Sequence, residues 1–104
     1  MNATYDCQLT LVLPASLEEE VLEELAAHPE WVSGFSVLHG EGFGSGAHLR
    51  TAMERVRGRA YRRLVSVLMR NEHVQPLLDA LRASFASAEV TWWTSPITGF
   101  GRLA

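Results

Sequence analysis

The chain has 104 residues, of which 47% are hydrophobic and 20% charged, which excludes a disordered or fibrous protein and predicts one domain over residues 1–104. The formal net charge of −3 argues against nucleic-acid binding through bulk charge. The single cysteine excludes an internal disulfide, and the short N-terminal apolar run, interrupted by Asp6, predicts a cytoplasmic protein without membrane insertion.

The first strand and the first helix are predicted from the N-terminal third of the chain. Residues 5–13 alternate in polarity as a half-buried strand does, and Pro14 ends the run. Ser16 and Glu19 have the spacing of a capping box, which predicts the start of an acidic amphipathic helix. That helix is expected to end at His28–Pro29.

Three more strands and one more helix are predicted downstream. The strands cover Phe35 to about Phe43, Tyr61–Met69 and Glu89–Thr94. Apolar residues recur at helical spacing over 74–85, with Asn71 as the candidate cap. The order βαββαβ predicts an α+β ferredoxin-like fold, in which two helices cover one face of a four-stranded antiparallel sheet.

The second face of this sheet is too apolar to be left in water. The third predicted strand carries apolar residues on both sides, and the adjacent Trp92 and Trp93 must point to opposite faces of the fourth. Either the C-terminal tail folds over this face, or copies of the chain pack together through it. We favour the homo-oligomer.

The connection between the second and third strands is unusually long. Residues 40–59, called the long connection below, replace the two to five residues of an ordinary hairpin. Glycine occupies positions 40, 42, 44 and 46, so a continued strand would have one bare face open to a ligand or another subunit. The alternative is a flexible loop.

Arginines cluster in and after this connection, at positions 50, 55, 57, 59, 62 and 63. Arginine is suited to bind carboxylate and phosphate groups, so the cluster is a candidate surface for an anion or an acidic partner. Alternatively, some of these arginines pair with the acidic first helix.

Candidate residues for metal binding or catalysis are few. His39, Glu41 and His48 could hold a divalent metal across the long connection, although isolated imidazoles are the simpler interpretation. Cys7 lies in line with three leucines, which predicts a buried thiol rather than a nucleophile. No Ser-His-Asp or Cys-His arrangement has a recognisable context, so we do not expect an enzyme.

Four short motifs resemble the PII-like (GlnB-like) signalling superfamily. They are Gly34–Val37, Gly42–Gly44, Arg57–Arg59 and Ser95–Arg102. The first two are similar to the second strand and the entrance to the T-loop of PII proteins. Within the superfamily, the chain is most similar to a small proteobacterial family of unknown function whose genes often lie near heavy-metal efflux systems.

The resemblance implies a homotrimer that binds a small effector, often an adenine nucleotide, between subunits. A T-loop at about 40–60 would then contact a protein partner, for example a membrane transporter. Carried over by position, the effector cleft would contain Ser36, Gly42, Phe43, Gly44 and Arg102. The arginines of the T-loop and its base would be Arg50, Arg55, Arg57 and Arg59.

The chain also departs from the PII pattern. The glycine-rich, lysine-bearing phosphate loop before the fourth strand is reduced to residues 86–88, and Ser45 and Gly46 replace the arginine and glutamine after Gly-Phe-Gly. Standard binding of ATP and 2-oxoglutarate is therefore not expected. The leading hypothesis is a non-catalytic trimeric regulator, with heavy-metal efflux as a candidate process.

Three other classes of protein stay open. A metal-binding accessory protein of heavy-metal resistance would use the three candidate metal ligands. An enzyme of the dimeric monooxygenase type would need a roomy pocket between helices and sheet. An amino-acid-sensing ACT-like module shares the strand order, but the long connection counts against it.

Overall fold

The structure is a computed structural model that describes residues 4–42, 60–85 and 87–104. Its four strands and two α-helices follow the predicted order. The strands are β1 (Cys7–Pro14), β2 (Ser36–Gly42), β3 (Ala60–Met69) and β4 (Thr91–Pro96), and the helices are α1 (Glu18–Ala26) and α2 (Val74–Ser84). A short 3-10 helix precedes each α-helix, at Ala15–Leu17 and at Asn71–His73.

The strands form one antiparallel sheet in the order β2-β3-β1-β4. The strand β1 is central, with Leu9 opposite Val67 of β3 and Leu11 opposite Trp92 of β4. This order confirms the predicted ferredoxin-like fold, because both helices return over the same face and bring non-consecutive strands together.

The core lies between that sheet face, called the covered face, and the two helices. Alternation along β1 places Cys7 and three leucines on the covered face, where all four are buried as predicted. The helices close the core with residues at helical spacing. These helical core residues are Val21, Leu25, Val74, Leu77, Leu78 and Leu81.

Neither helix is capped as the sequence predicts. Residues Ala15–Leu17 form a 3-10 turn directly after β1, and no side-chain hydrogen bond caps either this turn or α1, so the capping box at Ser16 is wrong. Asn71 does not cap the second helix either. Instead, the Asn71 backbone N–H donates to Asp6 Oδ1 at 2.7 Å, so a residue beside β1 caps the second helical segment.

The fourth strand begins two residues later than predicted and extends to Pro96. A turn precedes it, in which the Val90 N–H donates to the Ser87 carbonyl at 3.3 Å and the Glu89 N–H donates to Ser87 Oγ at 3.1 Å. Pairing with β1 starts directly after this turn, at Thr91.

Candidate functional site

The uncovered face of the sheet, called the open face, carries exposed apolar side chains. Leu38 on β2 is 60% exposed and Trp93 on β4 is 49% exposed. Between them lie the half-buried Leu64 and the buried Thr10. Trp92, by contrast, lies opposite Leu11 on the covered face, so the two tryptophans point to opposite faces as predicted.

The C-terminal tail covers only one end of the open face. The Ile97 N–H donates to the Asp6 carbonyl at 3.1 Å, which continues the pairing of β1 with β4 one residue beyond Cys7 and Pro96. The Phe100 ring then meets the Tyr5 ring edge to face, with centroids 4.8 Å apart. Leu38 and Trp93 remain uncovered by the tail, so tail folding accounts for only part of this face, and its packing against other copies stays a prediction.

A cavity of about 410 Å³, called the open-face cavity, lies where the tail meets the sheet. Hydrogen bonds order its polar wall: Gln8 Nε2 donates to Ser66 Oγ at 2.7 Å, and the Tyr5 and Ser33 hydroxyls are 2.6 Å apart. The lining residues are Tyr5, Gln8, Ser33, Gly34, Phe35, Ser36, Ser66, Leu68 and Phe100. Aromatic rings beside neutral hydrogen-bonding groups are suited to a flat polar ring.

The residues predicted for an effector cleft are not brought together within one chain. Ser36 lines the open-face cavity, whereas Gly42 lies six residues along β2, about 20 Å away at the rise of a strand. Arg102 is exposed in the tail and does not line the cavity. Phe43 and Gly44 lie outside the described residues.

Sequence reasoning missed several residues of the cavity. The sequence pattern indicates only a strand at Tyr5 and Gln8 and only a tail motif at Phe100. The alternation of β1 does place Gln8 on the open face, but the contact of Phe100 with Tyr5 depends on the path of the tail after β4.

Two neighbouring arginines of β3, Arg62 and Arg63, lie on opposite faces of the sheet. The side chain of Arg62 lies over Gly42, where an added Cβ would come within 3.0 Å of Arg62 Cγ and Nε, so a larger residue at position 42 would require this side chain to shift. On the opposite face, Arg63 Nε donates to Glu18 Oε1 at 2.7 Å. The predicted pairing with the acidic first helix thus holds for Arg63.

The remaining arginines predicted to contact a partner, Arg50, Arg55, Arg57 and Arg59, lie outside the described residues. Of the predicted metal ligands, His39 and Glu41 share the covered face of β2, and His48 is also undescribed. The described ranges hold no group of three or more histidine, cysteine or acidic residues that could bind a metal ion.

Among the residues that the structure describes, three groups have clearly shifted pKa values. Burial, reinforced by the Asp6 carboxylate, raises the pKa of Cys7, which favours the predicted unreactive thiol. The hydrogen bond between His28 Nε2 and Glu24 Oε2, at 2.9 Å, raises the pKa of His28. The same bond, together with one from Ser84, lowers the pKa of Glu24.

A second cavity, called the helix-side cavity, lies on the other side of the sheet. It has a volume of about 300 Å³ and is bounded by both helices, β1 and β4. Its lining residues are Leu11, Val21, Leu78, Leu81, Arg82, Phe85, Ser87, Val90 and Trp92. Because Leu11 and Trp92 are on the covered face, the sheet separates this cavity from the open-face cavity.

A comparison with protein families identifies the chain. Residues 3–104 match the model of a family described as a protein of unknown function, DUF3240. The chain belongs to this family. No curated protein matches its sequence significantly. Among the described residues, no helix has both the length and the hydrophobicity that a membrane span requires.

Solved structures with similar folds cover nearly the whole DUF3240 chain. A DUF3240 protein from Shewanella baltica OS155 superposes with a TM-score of 0.76 at 20% identity, covering 98% of this chain and 100% of that one.

A PII-like nitrogen regulatory protein, CPII from Thiomonas intermedia K12, gives a TM-score of 0.69 at 18% identity, with 95% and 98% of the two chains covered. Its structure contains ADP, AMP and bicarbonate, and a second one, with a TM-score of 0.65, contains ADP, AMP and acetate. At these identities, the likeness establishes a shared PII-like fold.

Proposed function

We propose that this DUF3240 protein is a non-catalytic, cytoplasmic regulator of the PII type, formed by a single domain over residues 1–104. It binds an adenine nucleotide and acts on a protein partner through the long connection. The observation that carries this proposal is the open sheet face, which combines exposed apolar side chains with a polar, ring-lined cavity. The shared fold with CPII, whose structures hold ADP and AMP, supports it.

The open face supports a homotrimer. Leu38 and Trp93 are large, exposed and located at opposite edges of the sheet, so a second copy could bury both. A second copy would also help to complete a ligand site. Since Ser36 and Gly42 lie about 20 Å apart along one strand, a ligand that contacts both would have to contact them in different subunits.

The open-face cavity supports binding of a nucleobase. Tyr5 and Phe100 offer ring surfaces, and the Gln8 amide offers donors and an acceptor for a polar heterocycle. The connection between α2 and β4 is short, at residues 85–90, and has no lysine. We therefore propose AMP or ADP, rather than ATP, as the preferred ligand, with Arg102 of the tail and Gly42–Gly44 contributing from their own subunits.

The long connection is proposed to contact the partner through Arg50, Arg55, Arg57 and Arg59. These side chains carry positive charge on a protein that is acidic overall, and they suit an acidic surface on the partner. A membrane transporter, in particular one for heavy-metal efflux, is the partner proposed here because of the family resemblance in the sequence.

Two measurements test the proposal. Light scattering after size-exclusion chromatography should give a trimer for the wild type and a monomer for Leu38→Arg, because a buried charge opposes the interface. Leu103→Arg is the matched control: its leucine is fully exposed in the tail, so the trimer should persist. A monomeric wild type would refute the assembly.

The second measurement is thermal unfolding of chelator-treated protein with AMP, ADP, ATP or divalent metals. A nucleotide at 100 times its dissociation constant adds about 2.7 kcal/mol of stability. Stabilisation by AMP or ADP that is lost in Gln8→Ala would support the proposed site. Stabilisation by a metal alone, lost in His39→Ala, would favour the accessory metal-binding protein with Glu41 and His48 as the other ligands.

A further inference from the structure

The helix-side cavity has no part in the proposed regulator, because the sheet separates it from the open face. Its floor is formed by Leu11 of β1 and Trp92 of β4, which are opposite each other in the sheet register. The residues of α1 and α2 form its walls, and the turn before β4 forms one rim. The cavity therefore lies at the edge of the core, beside the outer strand.

The size of this cavity lies at the lower end of the range for small-molecule sites. Protein interiors have few voids larger than one water molecule, and small-molecule sites begin at roughly 300 Å³. At about 300 Å³, the cavity has the volume of roughly ten water molecules. Its walls are apolar, with Leu78, Leu81 and Phe85 of the α2 segment facing Trp92, so water would gain few hydrogen bonds there.

Two polar side chains, Arg82 and Ser87, interrupt the apolar lining. Arg82 NH1 donates to Asp79 Oδ1 at 3.3 Å, in an exposed contact that uses only part of a guanidinium with five N–H donors. Ser87 Oγ accepts the Glu89 backbone N–H at 3.1 Å, and its own hydrogen can still be donated. The polar groups in the lining are thus suited to donate hydrogen bonds to an anion.

From this arrangement we infer that the helix-side cavity binds an amphiphilic carboxylate with an apolar body of about ten heavy atoms. The apolar body lies against Leu78, Phe85 and Trp92, and the carboxylate accepts hydrogen bonds from Arg82 and Ser87. A guanidinium pairs with a carboxylate through two parallel hydrogen bonds, which favours an acid over the matching alcohol. A ligand here would tie α2 to β4, the outer strand of the sheet.

Decanoate, below its micelle concentration, is the probe for this site. Titration calorimetry should show one decanoate bound per chain and at least tenfold weaker binding of 1-decanol. Arg82→Gln, which keeps most of the side-chain length, should weaken decanoate binding about tenfold. Arg70→Gln is the matched control, because Arg70 is also an exposed arginine in an ion pair but does not line the cavity.

Two further readouts locate the bound decanoate. Val90→Phe fills the cavity with a larger side chain and should abolish binding while AMP or ADP binding is retained. If that variant does not fold, bromine-labelled decanoate gives the answer in the wild type. The bromine should quench tryptophan fluorescence, and most of the quenching should disappear in Trp92→Phe.

The inference is overturned if decanoate does not bind, if Val90→Phe binds it as well as the wild type, or if Arg82→Gln and Arg70→Gln are equivalent. A change of oligomeric state in Val90→Phe, with no decanoate binding in the wild type, would instead assign the cavity to a second copy of the chain. Since nucleotide binding is measured separately in each variant, failure here is distinguishable from failure of the proposed function.

Discussion

The two faces of the sheet are built from the same strands but differ in what they bury. On the covered face, Leu9 and Val67 are opposite each other and both are completely buried. On the open face, the neighbouring pair is Thr10 and Ser66, and the outer strands carry the exposed Leu38 and Trp93. The covered face thus holds the buried core of the chain, and the open face carries the surface that is proposed for binding and association.

This division follows from strand geometry. Successive residues of β1 point to opposite faces, so one eight-residue strand contributes to both the core and the open-face cavity. Gln8, between the buried Cys7 and Leu9, is held by Ser66 in that cavity. Gln8 can therefore be substituted on the open face, one residue away from the core, without truncating a core side chain.

The largest difference between the faces is expected for leucine truncation. Leu9→Ala should lower the free energy of unfolding by about 2–5 kcal/mol, because it leaves a cavity in a closed core. Leu38→Ala should cost about 0.5 kcal/mol or less within the chain, because Leu38 is already exposed. Urea unfolding measures both values.

Protein concentration separates the contribution of assembly from that of the chain. If Leu38 lies in an interface, the effect of Leu38→Ala should grow as the protein is concentrated, whereas the Leu9→Ala effect should not. Equal effects of both variants at low concentration would contradict the division between the faces.

A smaller effect is expected where the helical layer is attached to the sheet. Asp6→Ala removes the acceptor for the Asn71 N–H and should cost about 0.5–2 kcal/mol, as for the loss of a helix cap. Asp79→Ala is the control, since Asp79 bonds only the exposed Gln75 and Arg82 side chains among the described contacts. Chemical denaturation measures the free energy of unfolding of both variants. Equal losses in Asp6→Ala and Asp79→Ala would show that the bond from Asn71 to Asp6 does not stabilise the protein as a helix cap.

The smallest effect concerns pH at the edge of the covered face, where His28 stacks on Trp31 and bonds Glu24. Because the pKa of His28 is raised above its usual 6.5, its contribution to stability is complete below pH 6.5 and is lost as the pH rises through the folded-state value. The lowered pKa of Glu24 keeps its own contribution present above pH 4.5.

Urea midpoints across this pH range test the pair. The difference between wild type and His28→Gln should be greatest at about pH 5.5 and should shrink by about pH 8.5. Glu24→Gln should remove most of this pH dependence, since it removes the main partner of the imidazole. A difference that is constant with pH would show that His28 acts only through its packing on Trp31.

Most of the architecture could be predicted from local patterns. The alternation of Cys7 with three leucines, and the helical spacing from Val74 to Leu81, each predict one buried face, and the element order then predicts the sheet. The helix starts could not be predicted in this way. Ser16 has a suitable spacing for a cap, but the chain enters a 3-10 turn at Ala15, and the effective cap of the second helical segment is Asp6, 65 residues away in sequence.

The candidate sites were predicted less completely. The resemblance to PII-like proteins predicts Ser36, Gly42 and Arg102 as residues of an effector cleft. Of these, Ser36 lines the open-face cavity, whereas Gly42 and Arg102 do not. The helix-side cavity was not predicted, because nothing in the sequence tells how closely the α2 segment approaches Trp92. A cavity depends on gaps between elements, and such gaps leave no periodic signal.

The sequence alone determined the two-layer fold and the excess of apolar surface on the second sheet face, because strand and helix periodicities are local properties of the chain. Only the tertiary structure decided where that surface is covered. After Ile97, which still pairs beside Asp6, the tail places Phe100 on Tyr5, which covers one end of the face and leaves Leu38 and Trp93 exposed. That outcome depends on contacts between residues almost a whole chain length apart, which no local pattern records.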